Sequence, residues 1–230
     1  MIRILPESKS VTEYYGHKRP EMLKFIPADA QRVLELGCGQ GVFSAQLRKG
    51  RGAEVWGIEY NENAARRAAD VLDHVLAGDA NRRIAELPDG YFDAIVCNDV
   101  LEHLVNPLET LAQLRGKLKP DGVVVASIPN IRYLPALGKV VFRKDFPQED
   151  FGIFDRTHLR FFTRSSIVRM FEDAGYAVQR IKGINPFLGP FGALFILLSG
   201  GYFADGVFLQ YACVATPAFG GVDIAGPQAV

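Results

Sequence analysis

The chain has 230 residues, room for one domain with a sizeable core. Its 26 Lys and Arg balance 26 Asp and Glu, which leaves no broad cationic face for a nucleic-acid backbone. Three cysteines, Cys38, Cys97 and Cys213, lie far apart and offer neither a disulfide framework nor a zinc-type cluster, so a reducing, cytoplasmic setting is expected.

No basic region followed by an apolar run opens the chain, so no signal peptide is expected. Residues 1–32 read as an N-terminal arm carrying Tyr14-Tyr15-Gly16-His17, whose aromatic rings pack it down, and then a helix after Pro20. A core of alternating strands and helices follows over 33–129. It opens with Val33-Leu34-Glu35-Leu36-Gly37-Cys38-Gly39-Gln40-Gly41, a short buried strand breaking into a glycine turn, and then a helix over 42–48.

The spacing of that turn selects its ligand. A dinucleotide fingerprint requires Gly or Ala at position 42, where a pyrophosphate meets the helix N-terminus, and this chain has Val42. Glu35, two residues before the first glycine, would repel a diphosphate but suits an ammonium or a hydroxyl. These features disfavour NAD and point to a cationic, phosphate-free adenine cofactor, S-adenosylmethionine.

Three more strands each end on a polar group. Residues 54–60 end in Glu59-Tyr60, placing an acid about 20 residues past the glycines, where ribose hydroxyls are bound. Residues 74–80 end in Gly78-Asp79-Ala80, with Asp79 in reach of an adenine amino group, and 92–99 end in Asn98-Asp99. Each acid alone could be a helix cap, but caps do not explain the repetition at one sheet edge. Helices are expected over about 63–72 and 107–118, and a fifth strand over 123–128.

With these motifs, and with Asp93-Ala94-Ile95-Val96-Cys97-Asn98-Asp99-Val100-Leu101-Glu102-His103 and Leu118-Lys119-Pro120-Asp121-Gly122, the chain resembles the class I S-adenosylmethionine-dependent methyltransferases. The resemblance implies an α/β, Rossmann-like fold: a seven-stranded, mostly parallel sheet with its last strand antiparallel and helices on both faces. It implies a single domain over 1–230. It also implies that Glu35, Gly37, Cys38, Gly39 and Gly41 face the methionine end, Glu59 and Tyr60 the ribose, and Asp79 and Ala80 the adenine. Asn98 would close over the sulfonium, and S-adenosylhomocysteine would be the product.

Residues 130–165 form a substrate-side insert, with an aromatic, charged loop over 142–163, and 166–230 complete the sheet with a helix over 165–174 and strands over 176–184 and near 208–215. The loop Phe151-Gly152-Ile153-Phe154-Asp155-Arg156-Thr157-His158-Leu159-Arg160-Phe161-Phe162-Thr163, with Ser127-Ile128-Pro129-Asn130-Ile131-Arg132-Tyr133, resembles methyltransferases of bacterial cell-surface polysaccharide and O-antigen clusters. That implies O-methylation of a sugar or glycan precursor. A small-molecule O-methyltransferase of quinone-type metabolism is the alternative, and a cofactor-binding module without activity a second.

Methyl transfer to a hydroxyl calls for a base. His158, oriented by Asp155, is the first candidate and His103 the second. Asp99, Glu102 and His103 would share one face if helical, a cluster that invites a divalent ion. The core also resembles ubiquinone-pathway O-methyltransferases, which carry a similar cluster. Such a Glu-His pair often serves structure in the wider class, and no metal is expected. The apolar stretch 187–198 is interrupted by Gly189, Pro190 and Gly192 and is too short to span a bilayer, so it is expected in the core before the last strand. An oligomer remains open.

Overall fold

The computed structural model describes residues 18–218; the aromatic arm at 14–17 lies outside them. Seven strands form one sheet: β1 Arg32–Leu36, β2 Glu54–Glu59, β3 His74–Ala77, β4 Phe92–Asn98, β5 Leu118–Pro129, β6 Tyr176–Pro186 and β7 Phe208–Pro217. Their order is β3-β2-β1-β4-β5-β7-β6. The first five pair in parallel, and β7 lies antiparallel between β5 and β6, as the resemblance implies. The helices are α1 Ser44–Arg51, α2 Glu62–Ala69, α3 Ala80–Ile84, α4 Pro107–Arg115, α5 Leu134–Phe142, α6 Arg164–Asp173 and α7 Pro190–Leu198.

The parallel strands are apolar on both faces because helices cover both. On β1, Val33 joins a cluster with Phe43 and Leu47 of the α1 side, while Leu34 and Leu36 join Ile84, Leu111, Leu114 and Phe171 on the other face. Strand chemistry thus dictates three layers. The chain winds outward from β1 to β3 and returns to β4, so β1 and β4 flank the crevice where such sheets bind ligands. Since β6 runs parallel to β5, the connection between β6 and β7 and the insert after β5 leave from this same edge.

The structure departs from the sequence expectations in four places. The helix after Pro20 is a turn and a 3-10 turn at Leu23–Phe25, because Pro27 forces Ile26 to extended dihedrals. The third strand stops at Ala77, and Asp79 caps α3 by accepting from the Arg82 N–H. Helix α5 sits inside the insert. Helix α7 occupies the apolar stretch expected in the core, yet Leu197 and Leu198 are 75% and 77% exposed. Composition showed the demand for burial but not whether the chain supplies a covering surface. Among the described residues no helix is long and apolar enough to cross a membrane.

Close packing of β2 against the turn after β1 needs Gly57. A Cβ there would stand 2.6 Å from Cys38 Sγ and 3.0 Å from Leu72 Cδ1. Gly57→Ala is therefore expected to cost about 1–3 kcal/mol in thermal unfolding, with part of the loss recovered in a Cys38→Ala background. A neutral Gly57→Ala would contradict this packing.

Candidate functional site

The turn after β1 is built by β2. The N–H groups of Gly37 and Cys38 both donate to the Ile58 carbonyl, at 2.8 and 3.1 Å. Glu59 then accepts from Gly39 N–H at 2.9 Å and from Asn61 N–H at 2.7 Å, using both oxygens. Gly41 has a φ of 75° and packs so tightly on α2 that a Cβ would lie 2.9 Å from Val71 Cγ2 and 3.3 Å from the Ala68 backbone. Its glycine is thus required by helix packing as well as by backbone conformation.

A buried carboxyl and a half-buried amide face each other across the switch point. Asn98 of β4 donates to Glu35 Oε1 at 3.3 Å, while Glu35 Oε2 and Asn98 Oδ1 have no protein partner. Glu35 is 3% exposed, and burial pushes its carboxyl up to about 8, so it holds a proton at neutral pH. Burial also raises the carboxyl of Glu59. Gln40 Nε2 is likewise buried without a partner beside this turn and Ser44 sits against the Glu35 carboxyl, and sequence reasoning passed over both. A polar side chain inside a glycine turn gives no pattern to read. Tyr60 is exposed next to Glu59, Cys38 is buried, and Ala80 is half-buried behind the Asp79 cap.

A second cluster forms where the insert folds back. The N–H groups of Leu159 and Arg160 donate to the Glu102 carbonyl, which docks the loop on the 3-10 turn Leu101–His103. His103 and His158 meet with ring centroids 4.7 Å apart, and His158 Nε2 lies 3.9 Å from Glu102 Oε1. His158 Nδ1 lies 3.0 Å from the Ile153 carbonyl, and His103 Nδ1 lies 3.2 Å from the Thr157 carbonyl. With a proton on each Nδ1, both Nε2 atoms keep their lone pairs. Both carboxylate oxygens of Glu102 are buried without partners. Burial pushes Glu102 up to about 8 and lowers both imidazoles, so all three groups are neutral at pH 7. Donor atoms of Glu102, His103 and His158 lie within 4.8 Å of one another, close enough to converge on one ion.

The predicted trio is divided. Asp99 has a φ of 52° and turns away from Glu102 and His103 because no helix continues through it. It pairs with Arg19 and accepts from Ser127 Oγ at 3.0 Å and Gln210 Nε2 at 2.6 Å. Arg19 and Gln210 carried no sequence signal, since only the fold brings them together. Asp155 does not bond the His158 ring either; it accepts from Thr157 N–H at 2.8 Å and Thr157 Oγ1 at 2.6 Å.

This sheet order, with a glycine turn and a strand-end acid beside the switch point, defines a Rossmann-like methyltransferase. Residues 9–181 match the family described as "Methyltransferase domain", and the chain belongs to that family. S-adenosylmethionine is its methyl donor, and the turn fits a polar group of that kind: side-chain oxygens of Glu35 and Asn98 are buried at the crevice beside the glycines. The chain is 27% identical over 167 residues to a protein named ubiquinone biosynthesis O-methyltransferase from Aeromonas salmonicida, covering 67% of this chain and 66% of that one. A like-named protein of Methylococcus capsulatus is 29% identical, covering 75% of this chain and 76% of its own. The fold is shared with a SAM-dependent methyltransferase from Archaeoglobus fulgidus at a TM-score of 0.66 and 22% identity, covering 90% of this chain and 94% of that one.

These buried carboxyls set a pH dependence. Above the ordinary histidine value of about 6.5 the imidazoles are neutral in both folded and unfolded chains. Glu35 and Glu102 still hold protons when folded but not when unfolded, so folding takes up protons and stability falls as pH rises towards about 8. Melting without ligand is expected at lower temperature at pH 8 than at pH 6.5. The double variant Glu35→Gln/Glu102→Gln should flatten that slope, and an unchanged slope would contradict the assigned burial.

Proposed function

We propose that this enzyme methylates a phenolic hydroxyl on an apolar, quinone-type aromatic acceptor, with the His103–His158 pair as base. The observation that carries the proposal is the neutral imidazole pair behind a phenyl-bearing loop. Phe146 stacks edge-on against Phe154 at 4.8 Å and Phe161 at 5.3 Å, and Phe161 lies 6.4 Å from His158. The polar residues that favour a glycan in the sequence are spent within the loop: Asp155 on Thr157, Arg156 on Asp150, and Thr157 on His103. An imidazole of lowered basicity is also a poor match for a sugar alcohol, whereas a phenol ionises near 10. The names of the curated relatives support the same class.

In this reading Glu35 receives the ammonium of the methionine moiety, Gly37, Cys38 and Gly39 line it, Glu59 takes ribose hydroxyls beside its two backbone donors, and Asp79 takes the adenine amino group. S-adenosylmethionine, when bound, supplies a methyl carbon made electrophilic by its sulfonium. The chain's residues do the rest. Asn98 and Glu35 fix the floor between β1 and β4. His158 Nε2 accepts the hydroxyl proton while Nδ1–H stays on the Ile153 carbonyl. The imidazolium so formed lies 3.9 Å from Glu102. Asp155 acts one step back, setting Thr157 against His103.

Incubation with S-adenosylmethionine and either an alkyl-substituted catechol or nucleotide-linked sugars tests the acceptor. Methylated catechol alone is expected; methylated sugar alone would overturn the reading. His158→Ala should lower kcat by about 10²–10⁴ with S-adenosylhomocysteine affinity unchanged. The acid limb of kcat/KM should lie below the ordinary histidine value of about 6.5. Glu59→Ala should weaken S-adenosylhomocysteine binding at least about tenfold, since charge-assisted bonds contribute about 1.5–3 kcal/mol each. Asp79→Ala should weaken it less. Unchanged affinity in Glu59→Ala would remove this edge as the cofactor site.

A further inference from the structure

A helix apolar on every side belongs in a core or against another apolar phase. Helix α7 is such a helix, and the run 187–204 around it contains no charged residue over 18 positions. Leu194, Leu197 and Leu198 nonetheless stand exposed on one face, with Phe195 beside them and Phe187 and Tyr202 at the two ends. Neighbouring α5 ends in Phe142, 76% exposed. The two helices are near each other at their starts, where a Cβ on Gly192 would come within 3.6 Å of Leu134 Cδ1.

This surface is firmly held. Arg132 grips Asp205 with two bonds of 2.6 and 3.0 Å, donates to the Tyr202 carbonyl at 3.1 Å, and lies over the Tyr202 and Phe203 rings at 5.2 Å. Asn130 adds bonds to the Asp205 and Phe208 carbonyls. The helix is therefore displayed by a braced connection that fixes both the exit of β5 and the entry to β7.

We propose that α7 and the end of α5 insert into the surface of an anionic lipid bilayer. Three observations select this occupant over a second copy of the chain. The apolar run 187–204 itself carries no charged residue with which a second copy of the run could pair. The chain is neutral overall, yet Arg143 and Lys144 stand exposed directly after Phe142, at the end of the helix whose start meets α7, with the single acid Asp145 directly after them. Cationic flanks on an apolar helix complement anionic headgroups. Lastly, the connection carrying α7 leaves the same sheet edge as the glycine turn, so a docked bilayer would lie on the side where the acceptor enters. At nine residues α7 can lie within the headgroup boundary but cannot span the bilayer. Docking does not depend on which acceptor is methylated.

Co-sedimentation with vesicles of phosphatidylcholine, with or without phosphatidylglycerol, tests this. The full chain should pellet with phosphatidylglycerol vesicles and much less with phosphatidylcholine alone. Leu197→Glu/Leu198→Glu should reduce pelleting at least about tenfold, and Arg143→Glu/Lys144→Glu should reduce it and remove its salt dependence. Both variants should bind S-adenosylhomocysteine like the parent, which separates loss of docking from loss of fold. A parent protein that stays in solution, or a leucine double variant that still pellets, would overturn the proposal. So would a dimer in sedimentation velocity that the leucine variant dissociates while vesicle binding is unchanged.

Discussion

Glu59 makes the turn after β1 possible. Its two oxygens accept from Gly39 and Asn61, so one carboxylate ends β2, starts the approach to α2 and holds the glycine loop against the neighbouring strand. Glu59 lies almost entirely out of water, which makes those backbone donors strong and also makes the carboxylate costly to leave without them. The position of Glu35 depends on this brace. It stands one strand over, opposite Gly57 in register, and reaches the same crevice with one oxygen unmatched. A buried carboxyl of this kind is tolerated in the ligand-free protein by keeping its proton.

The second cluster follows the same logic with different chemistry. Glu102, His103 and His158 are gathered by backbone bonds between the insert and the turn after β4, and each is held neutral by burial. Neutrality spares the cluster the cost of a buried charge without a partner. The edge thus carries two polar clusters, with Asp99 and its partners Arg19, Ser127 and Gln210 forming a third.

Much of this was legible in the sequence. The glycine spacing with Glu35 before it and Glu59 at the end of β2 appear in the fold because each rests on local pattern, and the antiparallel last strand is the one the family resemblance implies. What escaped detection depends on distance along the chain. Arg19 meets Asp99 and Gln210 only after the sheet has closed. The Asp99-Glu102-His103 spacing suggested one helical face, but the chain makes a single 3-10 turn there and a left-handed residue points Asp99 away. For Asp155, proximity to His158 was right, but the shorter path to Thr157 takes its hydrogen bonds. Helix α7 shows the remaining limit: apolar composition states what a segment avoids, not what covers it.

The central claim is that Glu35, hydrogen-bonded by Asn98 and otherwise buried, keeps a proton in the ligand-free protein and ionises when an ammonium arrives. Calorimetric titration of S-adenosylhomocysteine at pH 7, in two buffers of different ionisation enthalpy, measures this directly. Binding should release about one proton per site in the parent protein and almost none in Glu35→Gln. Heats that do not change with buffer, or a release that persists in Glu35→Gln, would contradict the account.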